Sequence, residues 1–472
     1  MNRKQIQSAH DSVTLGKQRS YNEVVEYLNA RWSYNRTDKN LTVMTQLDKA
    51  FNNPSKDLNV VSVAGTNGKS LTINFVTQLL REEGLSVGSF YAPHILTYNE
   101  RFAVNNESIA NKQFTELANE VINTAEMQGI EADTLELLTM ISFLYFKQKK
   151  TDVVFLESSF NTAYDPIAIC HPKILVITRV TQDVISAENL TIEQWIERLT
   201  EMVQPGTFVV SADQSKLTLQ VVLNKSAERG GKWGMPIRKL AALDYPFEQL
   251  HGRCAALAER ICQIYINNFV QSEGTIVSDS SLLAKEKGRR GRPTLEAKRQ
   301  LELHPKKTLE QFWKETKNSL PCRFQLIKEN PSVLLDNASN VDALQNIFLG
   351  IRLLHYQRPL KGITFIFGCD KNTMQIKTFL QDLRYFSRKN SAQAIFCPIN
   401  NVIPGLQEES VDVEQITNDV KSLKVKAQSV STFEKAFELA KKSVDERNGL
   451  IIITGSHSII AEYWHSKGIK KL

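Results

Sequence analysis

Apolar residues along this chain gather in short runs rich in β-branched side chains, separated by stretches of helical periodicity. Leu58-Asn59-Val60-Val61-Ser62-Val63-Ala64 is one such run and predicts a strand. A glycine-containing turn follows at once, and residues 71–80 then repeat apolar positions with helical spacing up to Gly84, a fitting C-cap. Further runs at 87–91, 152–156, 174–178 and 208–210 predict strands, those at 152–156 and 174–178 with the continuous apolar character of buried parallel strands. A second alternating block begins near residue 322, with strands expected at 333–335, 363–367, 394–396 and 450–453. The two blocks, 41–275 and 322 onward, each predict an open parallel sheet covered by helices.

Between the blocks the pattern lapses. Residues 272–310 are polar and basic and contain Gly288-Arg289-Arg290-Gly291-Arg292-Pro293, which reads as an inserted linker or exposed loop. The expected division is a first domain over 1–275, a basic insertion over 276–320 and a C-terminal domain over 321–472. A length of 472 residues supports it, being too long for one hydrophobic core. No run approaches the ~20 apolar residues that cross a bilayer. The polar segment 1–17 lacks the apolar stretch of a signal peptide, so a cytoplasmic, membrane-free protein is expected. The six cysteines form no CxxC pair and are expected to be buried free thiols. A net charge of +7 suits an enzyme of anionic substrates and equally a solvated surface, so it does not discriminate.

The most specific chemistry lies between the first strand and the first helix. Gly65-Thr66-Asn67-Gly68-Lys69-Ser70 is a phosphate-binding loop. Glycines let backbone N–H groups approach phosphate oxygens, and the helix N-terminus adds unpaired donors and a positive dipole end. Lys69 would neutralise the outer phosphates of ATP, and Ser70 would offer its hydroxyl to Mg²⁺. The loop is shorter than the general GxxxxGK[ST] pattern, because position 63 is Val63.

These residues resemble the short loop of the Mur ligase superfamily, and several segments downstream resemble the folylpolyglutamate synthase/dihydrofolate synthase family. Ala92-Pro93-His94-Ile95 is similar to that family's S-P-H-L, and Tyr98-Asn99-Glu100-Arg101-Phe102 to its N-E-R segment. Thr134-Leu135-Glu136-Leu137-Leu138-Thr139 resembles F-E-x-L-T, Pro321-Cys322-Arg323-Phe324-Gln325 resembles P-G-R-F-E, Asp336-Asn337-Ala338-Ser339-Asn340 resembles D-G-A-H-N, and Thr454-Gly455-Ser456 a C-terminal T-G-S. The likeness runs in order through nearly the whole chain except the basic insertion. It implies an α/β protein with a P-loop Mur-ligase-like domain built on a parallel sheet and a smaller Rossmann-like C-terminal domain. It also implies an ATP- and Mg²⁺-dependent ligase, monomeric, that phosphorylates a folate carboxylate and joins glutamate to the acyl phosphate. Lys69 and Glu157 would be catalytic, and Gly65 to Ser70 would bind ATP together with Arg323 and Asp336. Pro93, His94 and Arg101 would bind substrate, and Ser70 and Glu157 would hold the metal.

The departures from the family pattern are equally local. Where the family reads E-V-G-L-G-G-R-L-D, this chain reads Glu157-Ser158-Ser159-Phe160-Asn161-Thr162-Ala163-Tyr164-Asp165, which keeps the Glu and the Asp and loses the glycines and the Arg. Where it reads T-N-I-G-x-D-H, Asp183 remains and Val184 replaces the metal-binding His. Ungapped extension places Leu199 at the family's carbamate-bearing lysine, a ligand support for a second metal. Ser339 replaces the His of D-G-A-H-N, which the family uses on the substrate side, and Ser70 and Leu71 replace a Gly-Ser pair. Valine and leucine cannot coordinate Mg²⁺, which takes oxygen ligands. A chain that binds ATP without ligase activity, in a regulatory or scaffolding role, is therefore the competing expectation. Arg179 and Arg198 neighbour the lost ligands, and one of them could replace the second metal's charge; solvated surface arginines are the plainer alternative.

Three other features stay open on sequence grounds. Arg290-Gly291-Arg292-Pro293 matches an AT-hook core, which lays arginines in the A·T minor groove of DNA, but equally suits a solvated loop. Glu100 and Arg101 suit either a surface ion pair or a substrate loop. His251 and His457 are lone histidines, expected to be structural, and Cys254 stands where the family tends to carry a nucleotide-side Asn.

Overall fold

The computed structural model describes residues 16–32, 40–159, 162–181, 190–211, 214–234, 248–270, 309–316, 320–400, 403–406 and 408–472. Asp183, Val184 and the basic segment 288–293 lie outside the described residues, as does the His251 side chain.

Eight strands make the first sheet: β1 (Val60–Ala64), β2 (Val87–Phe90), β3 (Phe102–Val104), β4 (Glu107–Ser108), β5 (Val153–Glu157), β6 (Ile174–Ile177), β7 (Phe208–Ser211) and β8 (Lys232–Gly234). Their order is β4-β3-β2-β5-β1-β6-β7-β8. Strand β1 pairs in parallel with β5 (Val63 opposite Glu157) and with β6 (Ala64 opposite Ile177). All residues of β1, β5 and β6 are buried, which their uninterrupted apolar character requires of a doubly covered sheet. The sheet is parallel from β2 to β8, but β3 and β4 add an antiparallel edge that the apolar runs did not disclose.

The second sheet comprises β9 (Gln325–Ile327), β10 (Ser332–Leu335), β11 (Ile363–Phe367), β12 (Ala392–Phe396), β13 (Ala427–Ser429) and β14 (Leu450–Thr454), in the order β13-β12-β11-β14-β10-β9. It too is parallel except for one antiparallel edge strand, β9. Both sheets reverse their winding at a central strand. Successive connections leave β1 toward β2 on one side and cross to β6 on the other, so the loop after β1 opens at a topological switch point, where α/β sheets bind ligands.

Separate cores back the two sheets. The helices Lys69–Glu82 and Glu248–Phe269 pack together on one face of the first sheet, with Phe75, Leu79, Leu257 and Ile261 buried between them. This core also takes in residues from the far end of the expected insertion. The helix Leu309–Glu315 buries Phe312 and Trp313, with Trp313 completely enclosed, edge-on to Phe75 and hydrogen-bonded through Nε1 to Glu259. Residues 309–316 thus join the first core instead of continuing the polar linker read from the sequence; the short apolar pair Phe312-Trp313 is what anchors them.

Residues 95–96 bridge the cores. Ile95 and Leu96, from the segment after β2, pack with Ile459, Ile460 and Tyr463 beneath the second sheet. The carboxyl ends of β1, β5 and β6 and those of β10 and β14 therefore face one another across a cleft. No described helix is long and apolar enough to cross a membrane.

Candidate active site

A cavity of about 320 Å³ fills that cleft. Its walls come from the phosphate loop, from Ala92 and Pro93, from Glu157, from Thr178 and Arg179, from Arg253, Cys254 and Leu257, and from the second-sheet loops that carry Arg323, Asp336 to Asn340, Asp342 and His457.

The phosphate loop takes its shape from two backbone demands. Gly65 has φ +121°, and a Cβ there would lie 2.4 Å from Thr178 Oγ1, so no side chain fits. Gly68 (φ +90°) then turns the chain into the helix Lys69–Glu82. The backbone N–H groups of Thr66 and Asn67 donate to the Arg179 carbonyl at 2.8 and 3.2 Å. Those two amides fix the loop to the strand-end after β6. The helix's first turn has no side-chain cap, which leaves its N-terminal amides and dipole to serve an anion.

Lys69 and Glu157 form the buried polar centre. Lys69 Nζ donates to the carbonyls of Gly65 (2.9 Å) and Thr66 (3.3 Å) and lies 3.9 Å from Glu157 Oε1. Ser70 Oγ donates to Glu157 Oε1 at 3.2 Å, and Arg323 Nη2 reaches Ser70 Oγ from the second sheet at 3.4 Å. Burial lowers the Lys69 pKa, with Glu157 opposing the shift, and burial raises that of Glu157 against the pull of Lys69 and Arg323. Glu157 Oε2 is buried with no hydrogen-bond partner. A hydroxyl and a carboxylate side by side, with one carboxylate oxygen unsatisfied, are the oxygen donors a hard divalent cation takes, so the pair fits Mg²⁺. Among the described residues no group of three or more His, Cys, Asp or Glu could hold a metal.

Asp336 enters from the end of β10. It accepts the Phe324 backbone N–H at 2.8 Å, and burial raises its pKa to about 6 despite the opposing charge of Arg323. Cys322 and Phe324, on either side of Arg323, both take left-handed backbone (φ +60° and +49°). The first of these is the position where the family pattern has Gly.

The expected substrate residues divide. Pro93 lines the cavity, whereas His94 and Arg101 are buried behind it. Arg101 is 2% exposed, donates from Nε to His94 Nδ1 at 3.0 Å and lies over the Trp32 ring. Burial depresses its pKa to about 10. Burial and the Arg101 charge hold His94 well below its ordinary pKa, so it is neutral. Glu100 is no surface partner of Arg101: its carboxylate accepts the backbone N–H groups of Ile95, Leu96 and Thr97 and fixes that turn.

Asp165, kept from the family pattern, accepts from Ser158 Oγ (2.8 Å) and the Ser159 amide (2.7 Å) and shapes the chain after β5. Leu199 is fully buried with Leu175, Ile177 and Trp195 in an apolar core and does not line the cavity. Arg198 is also off the cavity, while Arg179 lines it and pairs with Asp342 at 3.0 Å. Cys254 lies over the loop, its Sγ 3.9 Å from the Gly68 carbonyl.

Two cavity residues had no signal in the sequence. His457 opens the helix His457–Ser466 and lines the wall, in contact with the Asn337 amide. Asp342 holds both Arg179 and Asn67. Neither sits in a motif, and Asn337, Arg179 and Asn67 each lie more than a hundred residues from the residue they contact.

No family model matches the chain. The dihydrofolate synthase/folylpolyglutamate synthase of Bacillus subtilis (strain 168) is 27% identical over 317 residues, 64% of this chain and 70% of the relative. The folylpolyglutamate synthase of Lacticaseibacillus casei is 24% identical over 362 residues, 74% and 80% of the two chains. In structure, the folylpolyglutamate synthase of Mycobacterium tuberculosis complexed with ADP superposes with a TM-score of 0.73 at 15% identity, covering 95% of this chain and 98% of its own. In sequence this chain is thus similar to folylpolyglutamate and dihydrofolate synthases, and in fold to a folylpolyglutamate synthase over nearly its whole length.

Proposed function

We propose that this chain is an ATP-dependent ligase that joins glutamate to the carboxylate of a folate-type acceptor through an acyl phosphate. The observation that carries the reading is the cluster of Lys69, Ser70, Glu157 and Arg323, contributed by both sheets at one switch-point cavity. ATP would lay its phosphates on the first turn of the helix Lys69–Glu82. Lys69 leaves the loop carbonyls it now contacts and meets the outer phosphates, and Arg323 approaches the same charge from the other domain. Preorganised positive groups in a water-poor cleft favour the transferring phosphoryl group over its ground state. Ser70 and Glu157 would hold Mg²⁺, which supplies further charge neutralisation at the phosphates when bound. Asp336 and its neighbours hold the nucleotide from the second domain, and Pro93 abuts the acceptor.

Leu199 favours a second reading. Sealed in apolar packing, it offers no ligand support where the family has a modified lysine. A protein that binds ATP and does no ligation would have this feature. In the catalytic reading, Arg179 stands in for part of the missing charge on the cavity wall.

The readings separate in one assay. With ATP and Mg²⁺ present, the ligase reading expects ADP release only when glutamate and dihydropteroate or tetrahydrofolate are both added. ATP binding with no ADP release under any combination supports the second reading.

A further inference from the structure

Side-chain donors around the phosphate loop already have acceptors, and the opposite domain supplies several of them. Both N–H bonds of the Asn67 amide are spent there, on Asn340 Oδ1 at 3.1 Å and on Asp342 Oδ2 at 3.0 Å. Arg179, just after β6, gives Asp342 Oδ1 its Nε and its Nη2, each at 3.0 Å. Asp342 thus spends both carboxylate oxygens on donors of the first domain. Lys69 meanwhile turns back to the Gly65 and Thr66 carbonyls.

Asp342 reaches this place from the first turn of the helix Val341–Gln357, next to its cap Asn340. A carboxylate there also favours the helix dipole, which accounts for its charge but not for its partners. Its side chain is 18% exposed and that of Arg179 36%, and both line the cavity beside the loop. Two oxygens that accept from a guanidinium edge and a side-chain amide are what a phosphate group would offer the same donors. In the chain without nucleotide, the second domain therefore supplies an anion to donors that face the phosphate site.

Charge on the wall gives that anion a consequence. Lys69, Arg179, Arg253 and Arg323 line the cavity, against the carboxyls of Glu157, Asp336 and Asp342. Glu157 lies beside Ser70 as a cation site, and Asp336 accepts the Phe324 amide. Asp342 has neither task. A phosphate laid on the loop meets Asp342 as a like charge and meets Arg179 as an opposite one. The two anions compete for one guanidinium.

We infer that Asp342 is a built-in competitor of the nucleotide, holding Arg179 and Asn67 until phosphates displace it; this rests on the nucleotide-binding part of the reading above and not on ligation. The pairing is an autoinhibitory contact across the cleft, and it lowers the affinity of the chain for nucleotide.

Calorimetric titration of ADP and of a non-hydrolysable ATP analogue, each with Mg²⁺, into the full chain tests it. Asp342→Asn keeps the size of the side chain and an acceptor for Asn67 but removes the charge. It should bind both nucleotides about threefold to tenfold more tightly, the range for one partly exposed charge near the phosphates. Thermal melts separate this from a structural role. Without nucleotide the variant should melt lower, having lost an ion pair and a first-turn acid. At a fixed nucleotide concentration its melting temperature should rise by more than that of the wild type. Equal or weaker binding by the variant, where the wild type binds, overturns the inference and makes Asp342 a support for Arg179. If Asp342→Asn does not fold, Asp342→Ser is compared by the same criterion. If the wild type binds neither nucleotide, a gain of binding in the variant supports the inference. No binding by either chain overturns it together with the nucleotide reading.

Discussion

The side-chain amides of Asn67 and Asn340 meet head to tail across the cleft, each donating to the other at 3.1 and 2.9 Å. Asn67 belongs to the phosphate loop of the first sheet. Asn340 caps the helix Val341–Gln357 of the second by accepting the Ala343 amide at 3.0 Å. Asn67 also donates to Asp342 at 3.0 Å, so the loop that would hold phosphates is tied directly to the opposite domain. Replacing Asn340 separates the two tasks. Asn340→Ser keeps a capping hydroxyl and shortens the reach to Asn67, so it should raise KM for ATP with little loss of stability. Asn340→Ala should lose about 1 kcal/mol more from the missing cap. Thermal melts beside ATP kinetics check both; equal stability of the two variants would show that the cap contributes nothing, and an unchanged KM for ATP in both would show the same of the contact with Asn67.

The pairing of Arg179 with Asp342 leads to a second expectation. Arg179→Ala removes a cation from the cavity wall and leaves the Asp342 carboxylate facing the site of the phosphates, so turnover should fall by roughly tenfold to a hundredfold. Arg198→Ala, off the cavity, should leave it within about twofold. Turnover unchanged in both variants would dismiss the idea that an arginine replaces the second metal's charge.

Asp336 predicts a pH dependence. Its folded-state pKa is raised to about 6, so the carboxyl binds a proton more tightly in the folded chain than in the unfolded one. Its contribution is fully present below the unfolded pKa of about 4 and is lost as pH rises through about 6. Asp336 is partly open to the cavity, and roughly 1 kcal/mol is the expected size. Asp336→Asn should flatten the stability profile between pH 4 and about 7 by that amount, as read from urea melts at each pH. A profile as steep as the wild type would contradict the assignment.

Trp313 tests where the first core ends. Fully buried against Phe75 and bonded to Glu259, it should cost about 3–5 kcal/mol when changed to Ala. If residues 309–316 were only a tether, the melting temperature would hardly move.

Much of this was legible because it is local in the chain. The strand, loop and helix around Gly65 to Ser70 are contiguous, and Glu157 ends a run of apolar β-branched residues that can only be a buried strand. The β-sheet order and the two antiparallel edges were not legible, because short strands such as Glu107–Ser108 carry no periodicity. Pairings across the cleft left even less trace: nothing near Asn67 announces Asn340, and nothing near His457 announces Glu408 or Asn337. His457 reads as a lone histidine until folding gives it a carboxylate on one side and a cavity on the other. Arg101 was found by its motif, yet its complete burial behind Pro93 follows only from the packing of Trp32 and His94.

The central claim is that the Lys69 cluster drives amide formation, and the most direct measurement is mass-spectrometric detection of glutamylated product. Purified full chain is incubated with ATP, Mg²⁺, glutamate and dihydropteroate or tetrahydrofolate, beside Lys69→Ala. The account predicts an acceptor one glutamate heavier in the wild type, formed with ADP, and its loss by at least about a hundredfold in the variant. Nucleotide bound by the wild type with no glutamylated product from either acceptor would contradict it.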